Sequence, residues 1–108
     1  MARIKTDHGS SIAGAALDWT FSPARGAELR NVAFHATGDV ASGEFIVQLD
    51  AISGEAYDVV LYKENVGTKQ DVFHEFIRKG MQSGDSLNIT CPATSGESYG
   101  VAVEWEPL

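Results

Sequence analysis

The chain has a single cysteine, Cys91, among its 108 residues, so no disulfide can close within it. One thiol cannot build a metal site unaided. His8, His35 and His74 have no metal-motif spacing to one another or to Cys91. Cations are scarce: eight Lys and Arg stand against fifteen Asp and Glu, a formal charge of −7. Such a field repels phosphate backbones, and nucleic-acid binding is not expected. No apolar run approaches the ~18 residues of a membrane span, and membrane insertion is not expected either. The opening residues MARIKTDHGS lack a continuous apolar core of signal-peptide length. The expectation is a protein made and used in a reducing cytoplasm, or assembled there into something larger.

Signatures of catalysis are also missing. The chain has no Gly-x-Ser-x-Gly elbow, no His-Glu-x-x-His, no phosphate-binding loop and no Gly-x-Gly-x-x-Gly. Neither an enzyme nor a cofactor is expected. Asp50, Glu55 and Asp58 gather around one loop, but without the spacing of a calcium loop, and the plain reading is a solvated acidic loop.

What is present is an ordinary apolar content of 44%, arranged with a period of two. A chain of this length fits one domain. Leu17, Trp19 and Phe21 alternate with Asp18 and Thr20, a half-buried strand ended by Ser22, Pro23 and Gly26. A second strand covers Leu29 to Ala36 with Val32 and Phe34 inward. Leu29 is out of phase with that pair, which predicts a bulge. Phe45, Val47 and Leu49 alternate with Glu44, Gln48 and Asp50, while Ile46 interrupts the polar row. Tyr57, Val59 and Leu61 form the next apolar row. The segment Asp71 to Lys79 fits helical spacing through Phe73, Phe76 and Ile77, and strand spacing through Val72, His74 and Phe76. Its short length and strand neighbours favour a strand. Gly84-Asp85 marks a turn, the run Leu87, Ile89, Cys91 a strand with a buried thiol, and Pro92 its end. In the last strand Tyr99, Val101, Val103 and Trp105 form the expected core row, opposite Gly100, Ala102, Glu104 and Glu106.

About seven short strands with turns between them predict an all-β fold, an antiparallel β-sandwich of jelly-roll or immunoglobulin-like type, with a small barrel as the alternative. Residues 1–13 have few large side chains and read as an extended arm, and 14–108 as the sandwich domain. Candidate contact residues of the arm are Arg3, Ile4, Lys5 and Ile12. Trp19 and Trp105 are in phase with core positions. Tyr62 is out of phase with Tyr57 and Leu61, which makes it the candidate exposed ring for stacking a ligand such as a sugar.

Three stretches, Ala-Tyr-Asp-Val-Val-Leu (56–61), Gly-Asp-Ser-Leu-Asn-Ile-Thr (84–90) and Ser-Tyr-Gly-Val-Ala-Val-Glu-Trp (98–105), resemble small all-β accessory proteins of tailed-bacteriophage virions. The resemblance covers residues 29–106 loosely and brings no catalytic residue. It implies a capsid decoration, or cement, protein that assembles in the host cytoplasm, resides in the virion, binds the major capsid protein or other virion proteins, and clusters there as a trimer or other homo-oligomer. A carbohydrate-binding or adhesion module is the alternative expectation.

Overall fold

The structure, a computed structural model, describes residues 4–108. Eight strands are present: β1 (Lys5–Ser10), β2 (Leu17–Phe21), β3 (Ala27–Ala36), β4 (Glu44–Asp50), β5 (Val59–Asn65), β6 (Asp71–Met81), β7 (Ser86–Cys91) and β8 (Tyr99–Pro107). The only helical element among the described residues is one 3-10 turn, Glu55–Tyr57. The strands form two four-stranded sheets, β1-β8-β3-β6 and β2-β7-β4-β5, antiparallel throughout. Only β4 and β5 are joined within one sheet; every other connection crosses between sheets. This is the double Greek-key order of a jelly roll, in place of the immunoglobulin-like or barrel arrangement.

The core follows from the alternation. Strands β4, β7 and β8 each bury every second residue: Phe45, Val47 and Leu49; Leu87, Ile89 and Cys91; Tyr99, Val101, Val103 and Trp105. The sheets meet through aromatic contacts, with Phe21 to Trp105 at 5.5 Å and Phe34 to Phe45 at 4.9 Å between ring centroids. Burying this apolar row is the dominant favourable term in folding. At one end of the core the Tyr99 hydroxyl donates to the Pro92 carbonyl at 2.7 Å and shares a hydrogen bond with the buried Thr94 hydroxyl at 2.7 Å. Thr94 in turn accepts from the Ala41 amide at 3.0 Å. Two loops, the β3–β4 and β7–β8 connections, are thereby tied to the first core residue of β8.

Leu29 and Val32 are both buried because the β3 register shifts between Leu29 and Asn31 on both of its neighbours. Arg30 is the residue that the shift frees, and it ion-pairs with Glu106 at 3.1 Å and Glu28 at 3.5 Å. Across from it β6 has its own irregularity, from Phe76 to Arg78, where Arg78 takes φ +51° and Ile77 is 95% exposed.

Within the stretch read as an arm, Lys5–Ser10 is a strand. All six residues of β1 pair with β8, from Lys5 opposite Trp105 to Ser10 opposite Gly100. Its inward positions carry Lys5, Asp7 and Gly9, so no hydrophobic alternation marks it. Gly9 is required there by contact: a Cβ would lie 2.3 Å from Trp19 Cγ. The Trp105 indole N–H reaches Asp7 Oδ1 at 3.4 Å. The strand is thus held by main-chain bonds and two tryptophans.

Candidate functional site

The register places the outward side chains of the β1-β8-β3-β6 sheet in straight rows across all four strands. One row reads His8, Ala102, Ala33, Phe73. The next, towards the loop end, reads Ser10, Gly100, His35, Asp71. On the other side lies Thr6, Glu104, Asn31, Glu75. Over the first two of these rows the central strands offer only Gly100, Ala102 and Ala33 besides His35, which turns to Asp71 at the end of the second row, while the flanking strands carry His8 and Phe73. Small residues in the middle and rings at the sides leave an open trough of about 570 Å³, whose floor is the backbone and alanine methyls of β8 and β3. Phe73 is 60% exposed.

The rim is polar. His35 Nδ1 lies 2.7 Å from Asp71 Oδ1, and the Asn31 amide donates to Glu104 Oε1 at 2.8 Å. Ser10, His35 and Asp71 share a row, but they do not form a nucleophile triad. Gly100 separates Ser10 from His35, which puts their Cα atoms roughly 10 Å apart at two strand spacings. The His35 ring nitrogen faces Asp71 on the far side instead. A nucleophile and its base must be within hydrogen-bond reach.

The residues singled out from the sequence are dispersed. Arg3 falls outside the described residues. Ile4 and Ile12 are exposed at either end of β1, and Lys5 lies within it; none lines the trough. Tyr62 is corrected from free platform to packed ring. His74 stacks on it at 4.1 Å with 19° between planes, and Phe45 meets it edge-on at 6.4 Å. The cause is a register shift in β5: Tyr62 pairs with Val47 but Val60 with Gln48. Leu61 is the extra residue, and Tyr62 turns inward with Val47. Its hydroxyl donates to the Glu64 carboxylate, and burial, assisted by that carboxylate, pushes the phenol up to about 12. The Lys69 ammonium and the Tyr62 hydroxyl hold Glu64 below the usual carboxylate range.

In the acidic loop Asp50 accepts from the Gln48 side-chain amide at 3.2 Å, while Asp58 and the neighbouring turn's Asp85 hold backbone amides. Asp58 accepts the Ala51 amide at 2.8 Å, and buried Asp85 accepts the Ile52 and Gln82 amides, each at 2.9 Å. No group of three His, Cys, Asp or Glu suited to a metal ion occurs among the described residues. Burial pushes the Cys91 thiol up, the opposite of a reactive thiolate.

The trough was half visible in the sequence. Gly100 and Ala102 stand out as a small-residue row, but Ala33, His8 and Phe73 join them only through pairing register.

No protein-family model matches the chain, and no curated protein matches it. Among solved structures, the Drosophila NLP core, described for pentamer formation and histone binding, is similar with a TM-score of 0.46 and 8% identity, covering 92% of this chain and 96% of that one. A Bacillus endospore appendage protein, of a family of disulfide-linked pili, is similar with a TM-score of 0.39 and 15% identity, covering 100% of this chain and 91% of that one. Neither likeness carries function to this chain.

Proposed function

We propose that the protein is a non-enzymatic structural component of a larger assembly, most concretely a bacteriophage capsid decoration protein that docks on the major capsid protein through the outer face of the β1-β8-β3-β6 sheet. The observation that carries this reading is the trough: an apolar floor of Gly100, Ala102 and Ala33 between His8 and Phe73, on the outside of a sheet whose other face already packs the core. A sheet needs only one covered face to fold. Apolar floor and an exposed phenylalanine on the second face suit a contact surface.

The fold admits this reading without selecting it, since jelly rolls build viral capsid and lectin domains alike. The edges favour contact through the face. Strands β5 and β6, the outer strands on one side, both carry register irregularities, which hinder sheet-to-sheet extension. Contact through the face also replaces the arm as the expected binding element. Removing residues 5–10 would strip a paired strand from β8, so a deletion there tests folding before it tests binding.

The test is composition. Mass spectrometry of gradient-purified phage heads from the source should find the chain in a fixed ratio to the major capsid protein. Heads that lack it, or carry it only in trace, would end this reading.

A further inference from the structure

We infer that the segment seated in the trough presents a large apolar side chain flanked by Lys or Arg: the partner is a cationic, apolar stretch of protein. This rests on the face-docking reading above and adds the chemistry of the partner.

The argument is one of shape and charge together. Between His8 and Phe73 lie three strand spacings, about 14 Å between Cα atoms, floored by nothing larger than alanine. That width admits a partner backbone with its apolar side chain pointing at the floor. One row along the strands, about 7 Å away, Glu104 and Glu75 stand on β8 and β6 with Asn31 between them. Neither carboxylate has an ion pair among the described residues, whereas Glu28 and Glu106 share Arg30, Glu44 meets Lys63 and Glu64 meets Lys69. At the opposite end His35 is held by Asp71. The trough therefore has an apolar centre and an acidic, uncompensated end, in a chain of charge −7. A second copy would bring like charges onto Glu75 and Glu104, and like-charge juxtaposition is costly at an interface. An extended segment that carries an apolar and a basic residue two positions apart places the cation about 7 Å from its apolar anchor and on the same face, the spacing between these two rows.

The probes are three nine-residue peptides with serine at every even position and, at the odd positions, leucine alternating with lysine, leucine with glutamate, or serine with lysine. They are titrated into the isotope-labelled full chain and followed by amide chemical shifts. The leucine–lysine peptide should shift the amides of Ala33, His35, Gly100 and Ala102, saturate, and weaken severalfold when salt is raised. The other two should bind at least tenfold more weakly. Ala102→Glu should remove the shifts with the thermal midpoint preserved; Phe73→Ser serves as a second face variant should that chain misfold. The Glu75→Gln, Glu104→Gln double variant keeps the Asn31 contact and should lose most of the salt dependence. Equal binding of the leucine–glutamate peptide, shifts confined to Asp18, Ile46 and Thr90 on the other sheet, or no shift at millimolar peptide would overturn the inference. If the chain is present on heads and Ala102→Glu removes it while the leucine–lysine peptide leaves the face untouched, the assembly reading stands and the cationic partner falls.

Discussion

His8 on β1 and Phe73 on β6 face outward at the two ends of one register row, with only Ala102 and Ala33 between them. Neither belongs to the core, and their separation is set wholly by the pairing of four strands. Positions in this row are therefore free of the fold, while their neighbours one residue away are not. Val103, adjacent to Ala102, is completely buried. Val103→Ala should cost roughly 2 kcal/mol through lost burial and the cavity left behind. Ala102→Ser should stay within about 0.5 kcal/mol. Denaturant midpoints measured at unchanged slope check the contrast.

Gly9 lies against Trp19 with no room for a side chain. Gly9→Val should force Trp19 from its site or lift β1 off β8, destabilising by about 1–3 kcal/mol as overpacking does. Tryptophan emission should move to longer wavelength, and amide exchange should quicken along β1 and the outer side of β8 while β4 and β7 stay protected.

Tyr99→Phe keeps the ring and removes the hydroxyl that the Pro92 carbonyl and Thr94 share. Buried partners left unsatisfied cost about 1–3 kcal/mol. The thermal midpoint should fall accordingly. Thr94→Val, which also strips the acceptor of the Ala41 amide, should lower it too, and the double variant Tyr99→Phe, Thr94→Val should cost less than the two single losses together. A sum of the two single losses would argue against coupling.

Tyr62 holds its proton to about 12, against an ordinary 10.0, chiefly through burial and then through Glu64. The folded pKa is raised, so the unfolded chain releases this proton first as pH climbs. The stabilisation is complete below about 10 and is lost between there and about 12. Phenolate absorbance should show a late-titrating component in the folded protein that Tyr62→Phe removes, and that variant should also flatten the alkaline fall in stability. Glu64→Gln should bring the late titration only part of the way back, because burial is the larger cause.

The sequence was legible where alternation was paid in large apolar side chains. Strands β2, β4, β7 and β8 follow directly from rows such as Phe45, Val47, Leu49, and the out-of-phase Leu29 marked the irregularity in β3. Strand β1 was hidden because Lys5, Asp7 and Gly9 occupy its inner row, and its stability comes from β8 and Trp19. Tyr62 was misplaced because the extra residue in β5, Leu61, has no signature of its own. Only the partner register, Val47 to Tyr62 and Gln48 to Val60, reveals it. The trough is a property of four strands at once. Single-strand periodicity shows Gly100 and Ala102 as small, but no pattern within β8 states that Ala33 lies beside Ala102 or that Phe73 closes the row.

The central claim is that this one face makes the contact with the assembly. Its most direct measurement is co-sedimentation of the purified chain with phage heads stripped of it, comparing wild type, Ala102→Glu on the trough and Thr90→Glu on the outer face of the opposite sheet. The account predicts at least a tenfold loss of binding for Ala102→Glu and wild-type binding for Thr90→Glu, with both variants folded. Equal binding by all three, or a loss confined to Thr90→Glu, would contradict it.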